Sequence, residues 1–317
     1  MTTRRHFLLG LAALPLATRA SAQAPLNIVA TTGMIADAAR QVGGDLVTVK
    51  GLMGPGVDPH SYRQTRSDIV ALTRADLVLW HGLYLEAQME EFFQDLARKR
   101  QVVAVADSLP RDRLRAHAQY ADKFDPHVWM SPRLWKDVIP AVRDALTAAS
   151  PDAAETFAAN AVAYQADIDR LAAYAAEAMA KVPEAKRVLV TAHDAFGYFG
   201  QDFDIEVLGI QGISTESEAG LNRIAQLVDV LVDRQISAVF VESSVSDRNI
   251  RALVEGAASK GHTVRIGGEL YSDAMGPDGS YEGTYLGMID HNVTVIAGAL
   301  GADVPARGMD GKLTVGL

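Results

Sequence analysis

The chain has 317 residues, of which 49% are hydrophobic and 22% charged, so it can form one large or two medium-sized domains and is not globally disordered. Its net charge of −9 argues against binding to nucleic acid or to anionic membrane surfaces. It contains no cysteine, so we expect neither disulfide bonds nor a lipid attached to an N-terminal cysteine.

Residues 1–22 have the pattern of an export signal. Arg4 and Arg5 precede an apolar run over 7–17 that is too short to span a bilayer, and small residues at 20–22 form a cleavage site. The stretch TRRHFL at 3–8 resembles a twin-arginine signal, and a Sec signal is the alternative. Cleavage after Ala22 removes three arginines and no acidic residue, which takes the net charge to −12. We therefore predict an exported, periplasmic protein without a lipid anchor.

Residues 23–150 alternate between apolar, β-branched runs and amphipathic stretches. The predicted strands are 26–31, 47–52, 76–80 and 101–106, and predicted helices include 67–74 and 85–98. This alternation is typical of a parallel sheet covered by helices on both faces. We predict that these residues form an N-terminal α/β lobe.

One long helix is predicted next, over 151–182. Ser150 suits an N-cap, Pro151 suits the first turn, and no glycine or proline follows until Pro183. Apolar residues recur every three or four positions from Phe157 to Met179, which gives the helix a single apolar stripe. Its position between two α/β patterns indicates a rigid connection between lobes.

The α/β alternation resumes over 183–317, which we predict to be the C-terminal lobe. Its predicted strands are 187–192, 206–210, 238–242 and 263–267, with helices over 221–234 and 247–260. The predicted fold class is therefore α/β, with two small parallel sheets flanked by helices and joined by one backbone helix.

Four residues, two from each predicted lobe, are the candidate metal ligands. His60 and His127 each end an Asp-Pro-His tripeptide, in which proline restricts the backbone and holds the next side chain in a defined direction. His193 follows a predicted strand and Asp273 follows the last one, and ligands of open α/β sheets bind at such strand ends. Three imidazoles and one carboxylate suit Zn²⁺, and also Mn²⁺ or Fe²⁺. Glu242, at the end of another strand, is a candidate hydrogen-bond partner for a ligand imidazole.

Longer motifs spread over the chain carry a family resemblance. They are DPHSY at 58–62, GLYLE at 82–86, FDPHVW at 124–129, HDAFGYF at 193–199, VFVESS at 239–244, GGELYSDAMG at 267–276 and EGTYLGM at 282–288. In these motifs the chain resembles the periplasmic binding proteins of zinc and manganese ABC importers, especially their TroA-type members (the ZnuA/TroA/PsaA-like family). The resemblance implies two α/β lobes joined by a long helix, and metal ligation by His60, His127, His193 and Asp273. It also implies delivery of one divalent ion, Zn²⁺ or Mn²⁺, to a permease in the inner membrane by a monomeric, non-enzymatic protein.

Two departures from that family pattern bear on the site. Many relatives have asparagine where this chain has His81, which lies near a strand end and could approach the metal. Dedicated zinc members often carry a long histidine-rich loop in the first lobe, whereas the segment 107–125 of this chain has His117 as its only histidine.

The residue type at the position of His193 differs between members of the family. Manganese-specialised relatives usually have glutamate there, and zinc or broad-range members have histidine.

Three other functions stay open at this point. A secreted zinc hydrolase would need an open coordination position and a general base, and the sequence contains neither G-x-S-x-G nor H-E-x-x-H. A siderophore- or haem-binding protein of the same fold would need a broad cleft with arginine or aromatic residues. An adhesin of the same family would be displayed at the surface, which the missing anchor cysteine disfavours.

Overall fold

The N-terminal half of the protein is built on one parallel sheet. The computed structural model describes residues 24–117, 120–217 and 220–314, and the predicted export signal lies outside them. The strands pair in the order β2-β1-β3-β4, all parallel, with helices packed against the sheet. This arrangement confirms the predicted fold class for this half. The elements are β1 (Leu26–Ala30), α1 (Gly33–Gly43), β2 (Val47–Gly51), α2 (Arg66–Arg74), β3 (Leu77–Trp80), α3 (Glu90–Ala97), β4 (Gln101–Ala104) and α4 (Pro132–Ala149).

A single long helix, α5 (Ala154–Ala180), connects the two halves. It follows a 3-10 turn at Pro151–Ala153 and has 27 residues, which corresponds to a length of about 40 Å. The predicted apolar stripe is the face that packs inward, whereas Val162 on another face is 67% exposed. The buried residues of this face are Phe157, Ala161, Tyr164, Ile168, Leu171, Ala175, Ala178 and Met179.

The C-terminal half contains two parallel strand pairs, β5-β6 and β7-β8, and β5 packs beside β7. The pairs are covered by helices, as the predicted α/β pattern requires. The carboxyl ends of β5, β7 and β8 therefore lie close together, which matters for the site. The elements are β5 (Val188–Thr191), α6 (Gly197–Phe203), β6 (Glu206–Gly209), α7 (Leu221–Asp233), β7 (Ala238–Glu242), α8 (Arg248–Ser259), β8 (Arg265–Leu270) and α9 (Tyr285–Ala299).

The last strand, β8, lies further along the chain than predicted. It runs from Arg265 to Leu270 and passes through the Gly267-Gly268 pair, where we expected it to end. A Cβ on Gly267 would lie 2.9 Å from the Cβ of Ala299, and one on Gly268 would lie 2.5 Å from Val295, both residues of α9. The glycines are therefore strand residues that allow α9 to pack closely against β8.

Both halves share one hydrophobic core around α5. The same cluster of buried residues includes Ile28 of the first sheet, Leu171 of α5 and Phe240 of the second. A buried carboxylate, Asp37 on α1, also joins these parts, because it accepts hydrogen bonds from the Tyr164 hydroxyl (3.0 Å) and the Tyr285 amide (3.1 Å). Within the described ranges, no helix has the length and apolar character needed to cross a membrane.

Candidate metal centre

The four predicted ligands meet in one buried cluster. His60, His127, His193 and Asp273 each offer a ligating atom, and these atoms all lie within 4.8 Å of one another. The four side chains are 0–4% exposed, so the cluster is shielded from solvent. Two members come from each half, since His60 and His127 follow elements of the first sheet and the other two follow β5 and β8.

The spacing of the ligating atoms fits a small cation. Nε2 of His60 lies 3.2 Å from Nε2 of His127, which lies 3.4 Å from Oδ1 of Asp273. Nε2 of His193 lies 3.2 Å from Oδ2 of Asp273. A tetrahedral ion with bonds of about 2.0–2.1 Å separates its ligands by about 3.3 Å. The described residues therefore contain a His₃Asp cluster of the size that a metal ion requires.

The two Asp-Pro-His tripeptides adopt the same hydrogen-bonded turn. The His60 amide donates to Oδ1 of Asp58 (2.9 Å), and the His127 amide donates to Oδ1 of Asp125 (3.0 Å). In each turn the aspartate accepts the amide hydrogen two residues further on, which fixes the histidine backbone. The repeated tripeptide thus presents two imidazoles to the cluster in the same way.

The two aspartates differ in their second contact. Oδ1 of Asp125 also accepts from Nδ1 of His127 at 2.7 Å, which orients the ring and directs its Nε2 to the cluster. Oδ2 of Asp58 instead accepts from the Thr215 hydroxyl (2.6 Å), a residue of the other half. The role of Asp125 was missed by the sequence analysis, although an acid two residues before a candidate ligand was a visible signal.

Glu242, at the end of β7, lies beside His193. Oε1 of Glu242 accepts a hydrogen bond from the His193 amide at 2.9 Å. Oε2 lies 2.6 Å from Nδ1 of the ring, close enough for an ion pair, but the angle between the two groups is not that of a hydrogen bond. Both side chains are buried. The carboxylate is thus placed to hold the ring so that Nε2 faces Asp273.

Burial and the neighbouring opposite charges shift the pKa values of the four groups in opposite directions. Burial lowers the pKa of His60 to about 3, against the attraction of Asp273. Burial also disfavours charge on His127, but Asp125 and Asp273 outweigh it and raise the pKa of that imidazole to about 9. Asp273 and Glu242 similarly raise the pKa of His193, and the histidines hold the pKa of Asp273 well below its usual range in spite of burial. Without metal, these shifts favour a proton on His127 and on His193 beside the buried carboxylates.

His81 approaches the site but does not join the cluster. Its ring is fully buried, and Nε2 lies 2.7 Å from the carbonyl oxygen of Pro126. The ring thus contacts the backbone beside His127 rather than the ligating atoms of the cluster. His117 and His60 line the same small cavity.

Trp129 packs against one side of the site. The Trp129 ring centroid lies 5.2 Å from that of His127, and its indole N–H donates to the carbonyl of Ser272, next to Asp273. Trp129 and Phe196 are both fully buried. Trp129 therefore bridges the loops that carry one ligand from each half.

Fold and cluster together are those of a two-lobed protein able to hold a single metal ion. A family model described as "ZnuA: Zinc-uptake complex component A periplasmic" matches residues 28–299. The chain belongs to this family, whose name agrees with the resemblance found in its motifs.

Similar proteins are named for three different metals. The manganese-binding lipoprotein MntA of Bacillus subtilis (strain 168) is 49% identical over 280 residues, which cover 88% of this chain and 91% of MntA. The zinc-binding protein TroA of Treponema pallidum is 45% identical over 273 residues, which cover 86% of this chain and 88% of TroA. The iron-binding protein YfeA of Yersinia pestis is 32% identical over 275 residues, which cover 87% of this chain and 86% of YfeA.

A solved structure of the periplasmic zinc-binding protein TroA from Treponema pallidum has the same fold. It matches with a TM-score of 0.85 at 44% sequence identity, covering 87% of this chain and 99% of that chain. The two-lobed α/β fold predicted from the sequence is confirmed.

Proposed function

We propose that the protein is the periplasmic solute-binding component of an ABC importer and captures one divalent transition-metal ion. The observation that carries the proposal is the buried His₃Asp cluster, whose neighbouring ligating atoms lie 3.2–3.4 Å apart and all lie within 4.8 Å of one another. In this proposal His60, His127, His193 and Asp273 bind the ion as cargo, and Glu242 orients His193. Zn²⁺ and Mn²⁺ are the proposed cargo, with Fe²⁺ also accommodated by this ligand set.

The proposal extends to location, partner and domain organisation. The protein would act as a monomer in the periplasm and deliver its ion to an inner-membrane permease. MntA is named a lipoprotein, but this sequence has no cysteine to carry a lipid, so we propose an unanchored protein. The proposed lobes are 23–150 and 183–317, connected by the helix over 151–182.

The alternatives fit the geometry less well. Four protein ligands fill a tetrahedral ion, which leaves no position for the activated water that a zinc hydrolase needs. The cavity next to His60 has a volume of only about 10 Å³, too small for a haem or siderophore. Larger cavities of about 550 Å³ and about 480 Å³ are present, but the described residues that line them include no member of the cluster.

A direct test combines metal analysis with import. Protein isolated from the periplasm should carry one transition-metal ion per chain in native mass spectrometry. Deleting the gene should lower the cellular content of the cognate metal under chelation, and the wild-type gene should restore it. A variant in which all four cluster residues are replaced should be exported but should not restore uptake. Normal uptake with that variant would contradict the proposed function.

Metal affinity is expected to fall as the pH decreases. A metal ion needs the bare Nε2 of His127, whereas the pKa of about 9 keeps this ring protonated at neutral pH in the metal-free protein. Below that pKa the ion must displace a proton, so affinity should fall about tenfold per pH unit for each proton displaced.

Calorimetry can detect these protons directly. Titrations at one pH in buffers of different ionisation enthalpy should show release of at least one proton per ion bound. Equal affinities at about pH 6 and about pH 8, with no proton release, would show that the cluster histidines are already deprotonated.

A further inference from the structure

We propose that His81 is a positioning residue of the metal site, which holds the Pro126–His127 peptide in place without contacting the ion. This inference rests on the proposed function, because it assigns His81 a part in metal binding through His127.

The surroundings of His81 restrict the orientation of its imidazole ring. The ring is fully buried and lies between two tryptophans, edge-on to Trp129 at 5.0 Å and nearly parallel to Trp135 at 6.4 Å. Its Nε2 lies 2.7 Å from the carbonyl oxygen of Pro126, a residue 45 positions away in the sequence. The ring is thus an oriented bridge from the end of β3 to the loop that carries His127.

The direction of the hydrogen bond follows from the partner. A carbonyl oxygen only accepts, so Nε2 must carry the proton. Burial lowers the pKa of His81 to about 3, which keeps the ring neutral and leaves Nδ1 as a lone pair. Nδ1 has no hydrogen-bond partner among the described residues, so the contact with Pro126 is the polar contact that the ring makes.

The backbone on which His81 sits is also held rigidly. The next three residues, Gly82, Leu83 and Tyr84, have left-handed φ values of 84°, 51° and 70°, which is costly for the two that are not glycine. The buried carboxylate of Glu86 stabilises this turn, because it accepts from the amides of His81 (2.8 Å) and Gly82 (3.3 Å) and from the Thr31 hydroxyl (2.6 Å). His81 is therefore fixed from both its ring and its main chain.

The hydrogen bond from His81 influences the cluster through a single peptide plane. The Pro126 carbonyl and the His127 amide belong to the same planar unit, so holding the carbonyl also sets the direction of the amide. That amide and Nδ1 of the same histidine both donate to Oδ1 of Asp125. Rotation of the peptide would disturb both bonds and move Nε2 of His127, which lies 3.2 Å from Nε2 of His60.

Two substitutions separate the hydrogen bond from the packing of the ring. His81→Phe keeps an aromatic ring between the tryptophans but removes the donor, whereas His81→Gln keeps an N–H donor that can reach the carbonyl. We expect His81→Phe to weaken Zn²⁺ binding by about 10- to 100-fold, as is usual when the support of a metal ligand is lost. His81→Gln should stay within a few-fold of the wild type.

The measurements are competition with a chromogenic chelator for Zn²⁺ affinity and the visible spectrum of the Co²⁺-loaded protein. The d–d bands should change in His81→Phe and be restored in His81→Gln, which a purely structural role would not produce. If His81→Phe does not fold, His81→Leu takes its place in the comparison with His81→Gln.

A matched control is available in the C-terminal half. Nε2 of His262 makes a bond of the same type and length, 2.7 Å to the carbonyl of Ile236, away from the cluster. His262→Leu should change the stability of the metal-free protein but neither the Zn²⁺ affinity nor the Co²⁺ spectrum.

The outcomes distinguish this proposal from the proposed function. Wild-type affinity in His81→Phe, or equal losses in the phenylalanine and glutamine variants, would overturn the positioning role while leaving metal binding intact. Failure of the unmodified protein to bind metal would instead overturn the proposed function itself.

Discussion

Replacing Asp273 is expected to abolish high-affinity metal binding. Its two oxygens face different imidazoles, Oδ1 towards His127 at 3.4 Å and Oδ2 towards His193 at 3.2 Å. It is also the only carboxylate of the cluster. Without it, a divalent ion would be buried among neutral nitrogen ligands with less charge compensation, which is strongly unfavourable. We expect a loss in Asp273→Asn as well as in Asp273→Ala, because asparagine keeps the shape and removes the charge.

Thermal unfolding with and without metal measures this loss. An ion present at 100 times its Kd stabilises the wild type by about 2.7 kcal/mol, and most of this gain should disappear in both variants. Asp290→Asn is a matched control, because Asp290 is a fully buried carboxylate that accepts hydrogen bonds from the Met309 amide and from the Tyr281 and Thr294 hydroxyls. The Asp290→Asn variant should be less stable without metal but should still be stabilised by metal as the wild type is. If metal stabilised Asp273→Asn as much as the wild type, the assigned site would be contradicted.

The unmodified protein is expected to bind Zn²⁺ more tightly than Mn²⁺, whichever ion the cell delivers. Intrinsic affinity rises from Mn²⁺ to Zn²⁺, and imidazole nitrogen favours borderline ions over the harder Mn²⁺. Three of the four proposed ligands are imidazoles, so ligand type and intrinsic order act in the same direction. Relatives named for manganese, zinc and iron show that family membership alone does not settle the preference.

Substitution of His193 by glutamate should narrow this difference by weakening Zn²⁺ binding more than Mn²⁺ binding. The structure shows that the single change also has an electrostatic cost, because the new carboxylate would face Glu242, which lies 2.6 Å from the present ring, and Asp273. The cleaner variant is therefore His193→Glu combined with Glu242→Gln. Glu242→Gln alone is the control. It should weaken the binding of both ions to a similar extent, because His193 would be less firmly oriented.

Competitive titration against a chelator at fixed pH gives both affinities for each variant. The ratio of Zn²⁺ to Mn²⁺ affinity should fall in the double variant relative to Glu242→Gln alone. Tighter Mn²⁺ than Zn²⁺ binding by the unmodified protein would refute this reasoning and would assign the preference to the geometry of the cluster rather than to its ligand types.

Much of the fold was predictable because its elements have strong local patterns. The strands are short apolar runs, and the observed β7 (Ala238–Glu242) has the predicted bounds. The predicted helix over 85–98 was less accurate, since Ala87–Met89 is a 3-10 turn and the α-helical part, α3, begins at Glu90. The left-handed turn at Leu83 and Tyr84, just before this segment, was not predicted. That turn depends on the buried Glu86 carboxylate, and no local periodicity reveals it.

The candidate site was predictable to the level of residues but not of contacts. The repeated Asp-Pro-His tripeptide and the strand ends pointed to the four residues that the structure brings together. Their role as ligands stays a proposal, and so does that of Glu242. The bond from His81 to Pro126 could not be foreseen, because it joins loops that meet only after β3 and the 125–127 turn have packed together.

The shared core around α5 has a consequence for how the protein unfolds. Residues of both sheets pack in the same hydrophobic cluster as this helix, so neither half can unfold without exposing apolar surface that the other half also covers. Unfolding should therefore be a single cooperative event, in which a ligand bound by loops of both halves adds its free energy to the whole chain. Occupancy of the site would then also govern how long a molecule survives proteases, because cleavage acts on the unfolded fraction.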